Sequence, residues 1–215
     1  MGAPMGENGD TVHHPIFARV YERFVAAREG EEIRARRERL LAGLSGRVLE
    51  VGAGTGVTFA LYPPSVTELV ALEPEAHLRR SAEKAAASAP VPVTVVDGVA
   101  QRVPVPDAAF DAVVVSLVLC SVPDQRAALA ELHRVLRPGG ELRFFEHVIS
   151  RHPVKAGVQR GLQATIWPLM AGGCHPARDT EAAVARAGFT MEWCDRLGPA
   201  PKQPPFPFIL GSARR

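Results

Sequence analysis

Val48-Leu-Glu-Val-Gly-Ala-Gly-Thr-Gly56 is the stretch on which the fold turns. A short β-prone run starting at Arg47 ends in three glycines at alternate positions, Gly52, Gly54 and Gly56. Glycine lets a backbone turn sharply and lets a ligand approach it closely. Alone, such a run marks any tight βα turn; acidic residues in register with it say more. Glu50 stands just before the glycines, and Glu73 ends the next predicted strand, where a carboxylate can accept both hydroxyls of a ribose. Asp97 follows the third predicted strand, within reach of an adenine edge in such a sheet.

Outward from this loop the chain alternates apolar runs with helical patterns. Thr67–Leu72 reads as a strand, Ala76–Ser88 as an Ala-rich helix, Val93–Val96 as a strand, and Phe110–Leu119 as a strand continuing into a loop. Leu129, Leu132 and Leu136 share one face of a helix over Gln125–Leu136. Arg137-Pro-Gly-Gly140 ends that helix through proline's missing donor and glycine's freedom, and Glu141–Val148 returns as a strand. Near-continuous apolar strands separated by helices predict βαβ units and a parallel sheet covered on both faces. Upstream, Phe17, Val20, Tyr21 and Phe24 fall on one helical face, and Ile33, Leu40, Leu41 and Leu44 repeat that spacing. Two amphipathic helices therefore precede the first strand. In the second, Arg34, Arg36, Arg37 and Arg39 read as a solvated face balanced by Glu31, Glu32 and Glu38. Val154, Val158, Leu162 and Ile166 recur every four residues within 152–176, a segment that interrupts the alternation. Asp179–Ala187 reads as a capped helix stopped at Gly188, and Thr190–Leu197 and Phe208–Ala213 as closing strands.

The 215 residues are 47% hydrophobic and 22% charged, globular proportions that exclude a disordered chain. A formal net charge of +2 is too small to argue for nucleic acid or an anionic membrane as partner. Cys120, Cys174 and Cys194 are odd in number, which excludes a complete disulfide framework and points to a reducing compartment. The first residues, MGAPMGENGD, lack the apolar core of a signal peptide, and no uncharged apolar stretch reaches the ~20 residues that span a bilayer. The expectation is a cytoplasmic protein without a transmembrane segment, with a mobile leader over 1–12 and a small-molecule partner.

Two nucleotide cofactors fit such a loop. An NAD-dependent oxidoreductase would show G-x-G-x-x-G ahead of a helix whose N-terminus faces the pyrophosphate. Here the run is G-x-G-x-G, with the third glycine one position early. Glu50 would repel a pyrophosphate but suits the ammonium of a methionine, which favours S-adenosylmethionine (SAM) over NAD.

With Glu50-Val-Gly-Ala-Gly-Thr-Gly56, Leu72-Glu-Pro74, Asp97-Gly98, Phe110-Asp111 and Leu136-Arg-Pro-Gly-Gly140 in that order, the chain resembles the class I SAM-dependent methyltransferases. Ser116-Leu-Val-Leu-Cys-Ser-Val122, Phe145-Glu-His-Val148 and Gly173-Cys-His-Pro-Ala-Arg-Asp179 are similar to the alkyl-thiol S-methyltransferases of animals and their bacterial relatives. A looser similarity extends to the quinone and menaquinone C-methyltransferases. The resemblance implies a Rossmann-like α/β fold, with a mostly parallel seven-stranded sheet, helices on both faces and N-terminal helices. It implies one domain over 13–215: N-terminal helices over 13–46, a SAM-binding core over 47–148, an acceptor-capping insertion over 152–176, and a C-terminal helix with closing strands over 177–215. Gly52, Ala53, Gly54 and Gly56 would line the methionine and ribose, with Glu50 near the amino group. Glu73 and Pro74 would hold the ribose, Asp97, Gly98 and Val99 would flank adenine, and Ser116 and Leu117 would sit beside the cofactor. The implied reaction is methyl transfer to a small lipophilic acceptor, a thiol by preference. The alternative is O- or C-methylation of a phenol, quinol or other small natural product. The animal enzymes begin with a hydrophobic anchor, whereas a polar leader stands here.

A thiol must lose its proton before it attacks. His147, near the end of the fifth predicted strand, is the candidate base, against a reading as a structural histidine. Glu146 points to the opposite side of the strand, so only one of the two faces the site. His175 is the second candidate, against a role in packing its loop. Cys174 and His175 are adjacent without a second pair, which is not the spacing of a zinc site, so no metal is expected. Arg178 and Asp179 read as fixing that loop and capping the next helix. Tyr21 reads either as closing over the methionine end or as completing its apolar stripe. Trp167, Leu169 and Met170 read as core or as the wall of an apolar acceptor pocket. Cys120 reads as a small filler near the cofactor and Cys194 as core. A protein that binds SAM without transferring its methyl group is a third reading.

Overall fold

The computed structural model describes residues 30–165 and 167–215. The leader, the first amphipathic helix with Tyr21, and Ile166 lie outside the described residues. The elements run α1 (Glu31–Leu41), β1 (Gly46–Val51), a single 3-10 turn (Phe59–Leu61), β2 (Val66–Leu72), α2 (Ala76–Ala86), β3 (Val93–Val96) and β4 (Phe110–Ser116). They continue with α3 (Gln125–Val135), β5 (Leu136–His147), α4 (Pro153–Gln163), α5 (Trp167–Met170), α6 (Thr180–Arg186), β6 (Thr190–Leu197) and β7 (Phe208–Arg214).

The strands form one seven-stranded sheet in the order β3-β2-β1-β4-β5-β7-β6. Pairing is parallel from β3 to β5, and β7 runs antiparallel to both β5 and β6. Side chains alternate across the sheet, and both sides are apolar. Leu49, Val113, Val115, Leu142 and Phe144 join Leu129 and Leu132 of α3 and Val184 of α6 in one core. Val48, Val114, Phe145 and Leu210 join Leu40 and Leu41 of α1 and Phe59 in the other. Burial on both sides is why these strands read as continuous apolar runs. The chain runs β1, β2, β3 outward and then returns to place β4 on the other side of β1. In open α/β sheets ligands bind beyond the strand carboxyl ends at such a switch point. The glycine loop after β1 and residues 116–120 after β4 lie there.

Three expectations change. The fifth strand begins at Leu136, not Glu141: Leu136 is buried and pairs with Phe110, while Ala112 pairs with Glu141. Arg137–Gly140 therefore loops out within the strand instead of preceding it. The arginine face of α1 is not uniformly solvated. The side chains of Arg34 and Arg39 are 62% and 51% exposed, but Arg37 is buried and Arg36 lies with its guanidinium 5.0 Å from the centre of the Phe208 ring. Long basic side chains can cover apolar surface with their stems, which a charge count does not register.

The third change concerns α4. Val154 and Val158 of the predicted apolar stripe are exposed, while Ala156 and Gln159 face inward. Gln159 sets that rotation. Its amide donates to the carbonyls of Val148 (3.0 Å) and Pro176 (2.7 Å), and its oxygen accepts from the Ser150 amide (2.7 Å). Buried backbone groups need such partners, and the requirement overrides a two-valine preference. Gln159→Ala is expected to destabilise the 148–178 region by about 2–4 kcal/mol, the sum of two or three orphaned buried groups. Hydrogen exchange should show faster exchange there and little change in β1–β3.

Candidate active site

The loop after β1 is locked to its neighbour strand. The amides of Gly52 and Ala53 both donate to the Leu72 carbonyl, at 2.8 and 3.1 Å, and the Gly56 amide donates to Ala53 at 2.9 Å. Gly52, Gly54 and Gly56 all have positive φ. Ala53 is buried beneath the loop.

Glu50 is buried at the end of β1 and held by two hydroxyls. Thr58 Oγ1 donates to its carboxylate at 2.7 and 2.9 Å, and Tyr62 Oη donates at 2.9 Å. Burial pushes its pKa above the carboxylate range; the hydroxyls and the Arg37 charge oppose that shift without cancelling it. Glu73 is buried too. It accepts the Gly54 amide at 2.8 Å and the Glu75 amide at 2.9 Å, one on each oxygen. Burial raises its pKa above the usual range. A carboxylate has about four lone-pair directions, so each oxygen keeps one for a ligand hydroxyl. Pro74 follows, half-buried. Arg79 of α2 donates to the carbonyls of Glu73 (2.8 Å) and Pro74 (3.0 Å) and pairs with Asp97 at 3.0 Å. It thus joins the ends of β2 and β3, and the Asp97 side chain remains 68% exposed. Gly98 and Val99 follow, with Val99 bridged to Arg102.

Beyond β4, Leu117 takes φ +62°, unusual for a residue with a side chain. Its amide donates to the Phe145 carbonyl at 2.7 Å. Glu146 holds the following turn: it is fully buried and accepts the amides of Val118, Leu119 and Cys120 at 2.9, 2.9 and 3.0 Å. Burial still pushes its pKa well above the carboxylate range. Ser116 Oγ is buried with no hydrogen-bond partner among the described residues.

The turn meets β5 and the 171–178 loop in a group that no local pattern announces. Cys120, His147 and Cys174 are all buried, and one ligand atom from each lies within 4.8 Å of the others. Cys174 Sγ is 3.7 Å from His147 Nδ1. Hydrogen bonding between the two sulfurs, with burial, pushes the Cys120 thiol up to about 12, while the same bond lowers that of Cys174. His175 sits outside this group: its Nδ1 donates to the Gly173 carbonyl at 2.6 Å and its amide to Cys120 at 2.7 Å. Arg178 Nη1 donates to Leu119 at 2.7 Å, and Asp179 caps α6 by accepting the Ala182 amide at 3.2 Å. Trp167 packs edge-on against Phe206 at 5.3 Å, Met170 is exposed, and Cys194 is half-buried.

Comparison with known proteins gives this arrangement its family. A methyltransferase domain model matches residues 49–144. The human thiol S-methyltransferase TMT1B is 36% identical over 180 residues, covering 80% of this chain and 73% of the relative. The chain belongs to the class I SAM-dependent methyltransferases. A demethylmenaquinone methyltransferase of Mycolicibacterium vanbaalenii is 34% identical over 163 residues, covering 76% of this methyltransferase and 68% of the relative. A crystal structure of a SAM-dependent methyltransferase from Thermotoga maritima shares the fold, with a TM-score of 0.68, 20% identity, and coverage of 93% and 96% of the two chains.

SAM is the cofactor of this methyltransferase, and the site suits it. The buried Ser116 Oγ lies at the end of β4 and has hydrogen-bonding capacity that no described residue uses. A carboxylate stands at the end of β1 and another at the end of β2, groups able to accept hydrogen bonds from an ammonium and from ribose hydroxyls. Sequence reasoning missed Thr58, Tyr62, Arg79 and the structural use of Glu146. A hydroxyl shortly after the last glycine and a tyrosine in an apolar stretch were the available signals for Thr58 and Tyr62, because a buried phenol needs a partner.

Glu50 yields a test with a definite sign. A carboxyl whose pKa is raised by folding favours the fold below the unfolded value of ~4.3 and loses that contribution as pH rises through the folded value. Glu50→Gln is therefore expected to melt higher than the native protein at pH 8, with the gap closing towards pH 4.5. On the reading that Glu50 takes the methionine ammonium, the same change should weaken SAM binding at least ~10-fold by calorimetry. A variant that melts no higher, or binds equally well, contradicts the respective half.

Proposed function

We propose that this methyltransferase methylates the sulfur of a small lipophilic thiol. The observation that carries the reading is the similarity to TMT1B, a thiol S-methyltransferase, over 80% of the chain, well beyond the segment matched by the general domain model. In this reading Gly52, Ala53, Gly54 and Gly56 line the methionine and ribose, Glu50 takes the ammonium, and Glu73 with Pro74 takes the ribose hydroxyls. Asp97, Gly98 and Val99 border adenine, and Ser116 and Leu117 border the methyl-bearing end. When bound, SAM supplies an electrophilic methyl group on a sulfonium. The residues of the chain orient the acceptor in line with that group, which can account for much of the rate. A thiol acceptor also has to lose its proton. His147, whose buried Nε2 has no partner among the described residues, is the candidate to receive it.

A second reading rests on the demethylmenaquinone methyltransferase similarity: methylation of a quinol or phenol at carbon or oxygen. Incubating the purified protein with SAM and a panel of alkyl thiols, phenols and quinols, followed by mass spectrometry, separates the two. Methylated thiols are expected. Methylated phenols or quinols with untouched thiols would overturn the thiol assignment, and SAM binding without transfer to any acceptor would identify a non-catalytic relative.

A further inference from the structure

Cys120, His147 and Cys174 come from three different segments and meet in one buried group. They are 1%, 6% and 7% exposed. Each is held by its own anchor. The Cys120 amide is one of the three bound by Glu146. His147 pairs with Phe208 across the β5–β7 ladder and lies against its ring at 4.4 Å. Cys174 follows Gly173, where a side chain would stand 2.7 Å from the Ser121 carbonyl, so the loop is pressed against the turn that carries Cys120. On the His147 side stand two apolar rings, Phe206 at 6.0 Å and Phe208 at 4.4 Å from the imidazole.

We infer that Cys120, His147 and Cys174 form a binding site for a soft divalent cation, zinc in the first instance. Two sulfurs and an imidazole are the donor set that zinc prefers. Zinc bonds of ~2.0–2.3 Å in a tetrahedron put neighbouring ligand atoms ~3.4–3.8 Å apart. The separation of Cys174 Sγ from His147 Nδ1, 3.7 Å, already has that value. The remaining separations are no larger than 4.8 Å, about 1 Å beyond the tetrahedral spacing. The two rings give the imidazole an apolar surround, which limits solvent access to a bound metal. His175, adjacent to Cys174 in sequence, turns its Nδ1 to the Gly173 carbonyl and takes no part.

Three protein ligands leave one tetrahedral position, as in zinc sites that hold a water or a substrate. The use of that position rests on the thiol reading: the acceptor's sulfur is the ligand that suits it, bound as the thiolate with its proton released to solvent. His147 then serves as ligand in place of base.

The test is metal content and its spectroscopy in the full chain. After equilibrium dialysis against zinc under reducing conditions, elemental analysis should give about one zinc per native chain. Cys120→Ser, Cys174→Ser and His147→Ala should lose it, and His147→Cys should keep it. Cobalt in the native protein should show sulfur-to-metal charge-transfer absorption that both serine variants lack; melting curves show that each variant is folded. A native protein that stays metal-free, or zinc retained equally by all variants, overturns the site. Methylation of thiols by a metal-free protein overturns the site and leaves the thiol reading intact. A zinc-loaded protein that methylates only phenols or quinols supports the site and overturns the thiol reading.

Discussion

Gly52→Ala is expected to weaken SAM binding by about 30-fold or more in a protein that still folds. Gly52 has φ +71°, and a Cβ there would stand 2.5 Å from Val118 Cγ2. The left-handed backbone costs a residue with a side chain about 1–2 kcal/mol, and forcing a methyl group into a filled contact about 1–3 kcal/mol more. The strain disappears if the loop moves away from the 117–120 turn, and binding must then move it back. Affinity therefore bears the cost that stability escapes. Val118→Ala in the same chain removes the contact and not the backbone penalty, so the double variant should recover part of the loss, leaving a deficit of about 5- to 30-fold. Calorimetry on the single and double variants measures both parts. Unchanged affinity and melting temperature in Gly52→Ala would show that the loop is not seated against Val118.

Glu146→Ala should lower the free energy of unfolding by about 3–5 kcal/mol, enough to unfold a marginal domain. The carboxylate accepts three backbone amides in a fully buried position, and alanine leaves all three without partners. An orphaned buried donor costs about 1–3 kcal/mol. Glu146→Gln keeps one acceptor oxygen. Its Oε1 partners, the amides of Val118 and Leu119, can be retained, while the new NH2 faces the Cys120 amide. The loss should fall to about 1–3 kcal/mol. Urea unfolding followed by circular dichroism orders the three proteins as native, Gln, Ala. An alanine variant as stable as the native protein would mean that water replaces the carboxylate, and the turn would not depend on it.

The glycine loop and the acidic strand ends were legible because their signals are local. Gly52, Gly54 and Gly56 need positive φ within five residues of chain, and Glu50, Glu73 and Asp97 each end a strand that apolar content alone predicts. The packing of the 152–176 segment was not. Val154 and Val158 suggested a buried face that Gln159 reverses through three backbone partners 9, 11 and 17 residues away, beyond the reach of helical periodicity. Arg37 looked like one more surface charge until α1 packed against the sheet. Among the described residues no helix is long and apolar enough to cross a membrane.

By itself, then, the sequence determined that this chain builds a mostly parallel α/β sheet with a glycine loop at its switch point. Strand and loop propensities act over a few residues, and the acidic strand ends are read in order along the chain. Tertiary structure alone decided which partners those groups meet. It put Thr58 and Tyr62 on Glu50, turned Glu146 into a cap for three amides, and slipped β7 antiparallel between β5 and β6. It also gathered Cys120, His147 and Cys174 at one buried point. Contacts between segments so far apart follow from how whole strands and loops pack, and that packing has no periodicity in the sequence from which it could be read.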